Sequence, residues 1–288
     1  MSIDKTVQNF LAQPIPLWEN TATEYVVNQA WDKLKTQGIS NPDEYTTARI
    51  INDSAIAIGN RIEIIKDEKG LPIYMEAPSA DRLGVFYDGH GLVPDYEIET
   101  GTQLNKLKEA IDTLAQVQPV FSCVATLVRC IQVLKQDDAE IDLSYSSPKI
   151  PFTVFVSVCA DDSIITNLRV AESILHEAMH LKLTLIEDIT PLLLLDTGNR
   201  YFSPWRDEKR PARGVLHGLF VFKAILDFYK EIRPIYTQND EVISYLDFRI
   251  KSIRSEINSL ADFPSNPDLT EYGEMIAFNI VRPSLLSI

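Results

Sequence analysis

The sequence predicts an α+β protein, mainly helical with a small β-sheet. Three observations carry that reading. Apolar residues recur every three or four positions over much of the chain, the spacing that lines one face of a helix. Short runs rich in β-branched and aromatic residues interrupt this pattern, above all Phe152 to Val158. The composition, 45% apolar and 24% charged over 288 residues, is that of a globular chain able to bury a sizeable core.

In chain order, Tyr25, Val26, Ala30, Trp31 and Leu34 form a helical stripe that stops at Gly38. Asn41-Pro42-Asp43-Glu44 reads as the start of a helix running toward Ile58. Asn41 caps it, Pro42 suits its first turn, and Glu44 complements its positive end. Residues 61–100 change character: Arg61–Ile65, Pro72–Glu76 and Gly84–Tyr87 suggest a small sheet or decorated loop inserted in the helical part. Leu104, Leu107, Ala110, Ile111, Leu114 and Val117 resume the helical spacing. After Pro119, the series Val120, Phe121, Val124, Leu127, Val128, Ile131 and Leu134 continues it. Phe152–Val158 reads as a strand, and Pro151 at its start favours an edge position, where a missing N–H is tolerated. Helices are expected from Arg169 to about Glu187, from about Pro211 to Lys230, and over Val242–Leu260 with Asn239 or Asp240 as cap. No repeat or Gly/Ser linker divides the chain. Residues 1–288 are therefore read as one unit, with a mainly helical part over 1–148 and a second part over 149–288.

Charge and cysteine usage narrow the partners. Twenty-seven Lys and Arg against 41 Asp and Glu leave a net charge of −14. That argues against wholesale binding to nucleic acid, whose phosphates demand a basic face, while leaving room for a local cationic pocket. No apolar run approaches the ~18 residues of a membrane helix, and Met1–Phe10 lacks the apolar stretch of a secretory signal. Cys123, Cys130 and Cys159 are odd in number and lack a paired spacing, so they are expected as buried small hydrophobes. The expected address is the cytoplasm, with neither nucleic acid nor membrane as partner.

The strongest chemical signal is His176-Glu177-Ala178-Met179-His180, an H-E-x-x-H on a predicted helix. Residues four apart share a helix face, so both imidazoles can reach one metal ion, and Glu177 stands where it could take a proton from bound water. Leu175, Ala178, Met179, Leu181, Leu183 and Leu185 make the helix apolar, and two unpaired histidines on it would be costly. Of four histidines in the chain, three fall between 176 and 217, and His217 in Gly214-Val215-Leu216-His217-Gly218 is the expected third ligand. Rivals are carboxylates. Glu187, seven residues past His180, lies ~10 Å along the helix and is too far for the same ion, as is Asp188. Asp196, Asp207, Glu208 and Asp227 stay open, and His90 is expected in a loop. Arg206, Lys209, Arg210 and Arg213 place four cations in eight residues just before His217. Arginine forks hold carboxylates through paired hydrogen bonds, so this stretch suits a small dicarboxylate or an acidic peptide. The strand before the metal helix could hold an extended peptide by strand addition.

Leu175 to His180, Ser203-Pro204-Trp205-Arg206 and Gly214 to Gly218 together resemble the H-E-x-x-H peptide-modification family, over roughly residues 150–230. Its members act on ribosomally synthesised, post-translationally modified peptides. The resemblance implies an iron(II)- and 2-oxoglutarate-dependent dioxygenase that uses O2 to hydroxylate a β-carbon of a precursor peptide. It implies His176, His180 and His217 as iron ligands, and Arg206, Arg210 or Arg213 for the 2-oxoglutarate carboxylate. Glu177 would then orient a ligand or water. The alternative is a gluzincin-like zinc metallopeptidase with Glu177 as general base. A third reading is a peptide-binding module in which the metal is structural or lost.

Overall fold

The computed structural model describes residues 5–14, 16–36, 61–76, 89, 91–95, 100–138, 140–147, 152–159, 161, 163–194 and 197–285. The expected helix from Asn41 to Ile58, the segment Gly84–Tyr87, Pro151, His90 and Asp196 lie outside them. The chain is a mixed α/β protein, mainly helical with a small mixed sheet. It divides into two compact units, Val27–Leu181 and Met1–Val26 with Lys182–Ile288. The divisions fall inside helices α2 (Asn20–Thr36) and α5 (Ile164–Ile189).

The unit Val27–Leu181 is built on a five-stranded sheet ordered β1-β2-β3-β5-β4, with β1 at Arg61–Lys66, β2 at Pro72–Glu76, β3 at Cys130–Leu134, β4 at Ser144–Ser146 and β5 at Thr153–Ser157. The β1–β2 and β4–β5 pairs are antiparallel, whereas β2–β3 and β3–β5 are parallel. Every residue of β3 and β5 is buried. Parallel strands buried on both sides need apolar residues at successive positions, which is why Cys130-Ile131-Gln132-Val133-Leu134 carries no alternation. Two expectations are corrected here. The helix predicted to continue through Leu134 ends at Leu127 (α4, Gln118–Leu127), and residues 130–134 form a strand. The predicted edge strand at Phe152–Val158 lies inside the sheet, between β3 and β4. Its first paired residue is Thr153. The strands expected at 61–65 and 72–76 are β1 and β2, and the β2–β3 pair joins them to the rest of this sheet.

Phe152 enters β5 with φ at +64°, a left-handed conformation uncommon for an aromatic residue. Its carbonyl accepts both Arg129 N–H (2.8 Å) and Cys130 N–H (3.1 Å), and its ring stacks on Trp31 at 4.6 Å. These contacts hold the turn that aligns β5 with β3. Helix α3 (Thr100–Ala115) carries Lys106, whose buried ammonium donates to Asp161 C=O at 2.6 Å and to Thr166 Oγ1 at 2.7 Å. That clasp secures the first turn of α5. None of the three cysteines enters a disulfide and all are buried, as expected.

The other unit packs α1 (Lys5–Ala12), the β6–β7 hairpin (Tyr201–Ser203, Glu208–Arg210), α6 (Ala212–Ile232), α7 (Asp240–Asn258) and α8 (Glu271–Leu285). Helix α7 starts where predicted: Asn239 caps it by accepting Val242 N–H at 3.1 Å. Lys182, fully buried in α5, donates to the carbonyls of Leu17 (2.6 Å) and Glu19 (3.0 Å) and lies 4.4 Å from the Phe10 ring. A buried ammonium survives because carbonyls and an aromatic face replace its water. A Cβ at Gly273 would sit 2.0 Å from the Leu192 carbonyl oxygen, so only glycine lets α8 approach that loop. Among the described residues, no helix is long and apolar enough to cross a membrane.

Candidate functional site

Helix α5 carries the H-E-x-x-H segment. Leu175, Ala178 and Met179 are fully buried, while His176 and His180 are half-buried on the adjoining face. The one-turn spacing brings their Nε2 atoms to 3.1 Å and their rings to 4.8 Å. Two nitrogens that each bind one ion at about 2.1 Å stand roughly 3–3.4 Å apart, so this pair fits two positions of a metal's shell. Glu177 points elsewhere. It is 4% exposed, and its Oε1 accepts the Ser144 hydroxyl at 2.6 Å while its Oε2 accepts the Ser146 hydroxyl at 2.5 Å. Ser144 and Ser146 are two apart on strand β4, so both side chains leave the sheet on one face and one carboxylate collects both. The nearer carboxylate oxygen lies 4.0 Å from His176 Nε2. Between the serines, burial pushes the Tyr145 phenol above its ordinary pKa, and the charge of Glu177 adds to the rise.

His217 lies on α6, 6% exposed, with Nε2 3.1 Å from Glu187 Oε2. Arg213, one turn earlier, donates Nε (3.0 Å) and Nη2 (2.7 Å) to the same oxygen. Burial alone would raise the Glu187 carboxyl. The hydrogen bonds and charges of His217 and Arg213 outweigh it and hold that carboxyl below its ordinary pKa. Glu187 Oε1 is buried with no hydrogen-bond partner among the described residues. The carboxylate set aside as a ligand beside His180 is thus the partner of His217.

The cationic stretch forms the β6–β7 hairpin. Arg206 is exposed in its turn, beside Asp207 at φ +51°. Arg210 is 40% exposed, with Nε 3.6 Å from Glu208 Oε1. Trp205 lies flat against α6, its ring stacked on Phe222 at 4.9 Å. A Cβ at Gly218 would lie 2.6 Å from that indole. Ser203-Pro204-Trp205-Arg206 and Val215-Leu216-His217-Gly218 are therefore one packed contact, in which glycine makes room for tryptophan next to His217.

The structure brings together His176 with His180, and His217 with Glu187 and Arg213; Arg206 and Arg210 join neither group. Asp227 pairs with Lys223 and Lys230, which removes it as a candidate ligand. Among the described residues, no three of His, Cys, Asp and Glu gather where one ion could be held. Sequence reasoning missed Ser144 and Ser146. Their two-residue period within Leu143-Ser144-Tyr145-Ser146 was the available signal, but three residues are too few to identify a strand. The sequence matches no protein-family model and no curated protein, so these side chains carry the chemical argument.

Proposed function

We propose that this protein is a cytoplasmic iron(II)- and 2-oxoglutarate-dependent oxygenase that hydroxylates a β-carbon of a ribosomal precursor peptide. The observation that supports it best is the engagement of Glu177. A hydrolytic base needs an oxygen turned toward its water, and both oxygens of Glu177 turn to the serines of β4. Glu177 so held is a buried anchor that keeps His176 in place on α5. His176 and His180 supply two nitrogens at ligand spacing, and the family resemblance assigns His217 as the third. Iron(II), when bound there, supplies the activation of oxygen that hydroxylation needs. Of the three cations expected for the clamp on the 2-oxoglutarate carboxylate, Arg206, Arg210 and Arg213, the first two stay open to that part. Since Arg213 directs its fork to Glu187, its part is to steady Glu187 and through it His217.

A second reading, a gluzincin-like zinc metallopeptidase, is favoured by the 4.0 Å separation of His176 Nε2 and Glu177 Oε1. The two readings part in one assay. Protein reconstituted anaerobically with iron(II) is given 2-oxoglutarate, a candidate precursor peptide and oxygen, and a zinc-loaded sample runs in parallel. Succinate, with a peptide gain of ~16 Da that His217→Ala abolishes, is the expected result. Cleavage under zinc that Glu177→Gln abolishes, with no succinate under iron, would replace the oxygenase by the peptidase.

A further inference from the structure

Beside the first turn of α6 lies a cavity of about 400 Å3, bounded by Leu193, Leu194, Pro211, Arg210, Arg213 and Asp268 among others. That volume lies at the small end of ligand sites. The walls hold charges of both signs, and their partners are uneven. Asp268 is 6% exposed, yet among the described residues every group that bonds its carboxylate is neutral. Thr197 Oγ1 and Tyr201 OH both donate to Oδ2 at 2.8 Å, and Asn199 Nδ2 reaches Oδ1 at 3.2 Å and Oδ2 at 3.4 Å. Among the described residues no cation pairs with it, although buried carboxylates are normally matched by one. Oδ2 receives three donors and Oδ1 a single long one, so Oδ1 retains capacity for another.

Arg210 is the counterpart. Among the described residues its carboxylate neighbour is Glu208, exposed and 3.6 Å away, a weak tie for a guanidinium. Arg213 already serves Glu187. Pro211 offers α6 no side-chain cap, so the start of that helix adds to the preference for an anion near Arg210. A dicarboxylate in this cavity would set one of its charges against Asp268, and a diamine would set one against Arg210. A ligand with one charge of each sign satisfies both, and the leucines accept an aliphatic side chain.

We propose that this cavity binds an aliphatic α-amino acid as its zwitterion, with the carboxylate on Arg210 and the ammonium on Asp268. The proposal takes Arg210 out of the candidates for the 2-oxoglutarate clamp, leaving Arg206 for it, and does not otherwise depend on the oxygenase reading.

Calorimetric titration of the full chain with L-leucine, L-leucinamide, 4-methylpentanoate and 2-oxoglutarate tests it. L-Leucine is expected to bind saturably, with the amide and the deaminated acid each weaker by about tenfold or more. Asp268→Asn, which keeps the shape and some hydrogen bonds, is expected to weaken L-leucine by about tenfold and leave 4-methylpentanoate unchanged. Arg210→Gln, at a half-exposed position that does not endanger folding, is expected to weaken L-leucine and leave L-leucinamide unchanged. Absence of saturable L-leucine binding up to about 10 mM would overturn the proposal. So would 4-methylpentanoate binding as tightly as L-leucine. Preferential binding of 2-oxoglutarate that is lost in Arg210→Gln would also overturn it, assigning the cavity to the co-substrate while leaving the oxygenase reading intact.

Discussion

Helix α5 carries a buried carboxylate, Glu177, and ten residues on a partly buried one, Glu187, each beside a candidate metal-ligating histidine, and they are held in opposite ways. Glu177 is fixed by two neutral hydroxyls from one sheet strand. Glu187 is fixed by an arginine and a histidine from one helix. Serine hydroxyls donate whatever the charge around them, so Glu177 is a position set by geometry. The bonds of Glu187 depend on the charge of its partners, and its second oxygen finds none among the described residues. The difference separates an anchor from an adjustable contact, and that is why Glu177 reads poorly as a hydrolytic base.

The largest expected effect is at the anchor. Glu177→Ala leaves the Ser144 and Ser146 hydroxyls without their acceptor and opens space in a buried helix, costing about 3 kcal/mol in denaturant unfolding. Glu187→Gln keeps its size but loses the charge facing a half-exposed arginine, for about 1–2 kcal/mol. If Glu187→Gln proved the costlier of the two, the contrast between anchor and adjustable contact would be lost. Ser144→Ala and Ser146→Ala should each cost about 1 kcal/mol. A double-mutant cycle of either with Glu177→Ala should show strong coupling, and simple additivity would deny that the bonds matter. Asp268 extends the comparison to pH. Burial acts to raise its carboxyl, but the bonds from Tyr201, Thr197 and Asn199 prevail and hold it below the ordinary 3.8. Its stabilisation is thus complete above pH 3.8 and declines as pH falls through the depressed folded value. The acid limb of wild-type unfolding is expected to be steeper there than that of Asp268→Asn. Parallel limbs would show that these bonds do not favour the charged form.

Much of the helical content was legible because helix formation is local. The stripes of α5, α6 and α7 and the Asn239 cap depend on neighbours within four residues. β3 was misread for a related reason. In a strand buried on both sides almost every residue is apolar, so Val128, Ile131 and Leu134 also satisfy a helical spacing. The pair His176 and His180 was legible because one turn of helix separates them. The contacts that define their surroundings were not. Ser144 and Ser146 reach Glu177 across about 30 residues of chain, and Glu187 reaches His217 across 30.

By itself, then, the sequence determined where α5, α6 and α7 run, that His176 and His180 share a face, and that cations precede His217. Each of these follows from backbone geometry repeating every few residues. Only the tertiary structure decided that Phe152–Val158 is an inner strand, that Glu177 belongs to two serines, that Glu187 belongs to His217, and that Trp205 fills the space Gly218 leaves. Such pairings are chosen by burial, where a polar atom must find its partner among whatever the fold brings near, and sequence spacing carries no record of that choice.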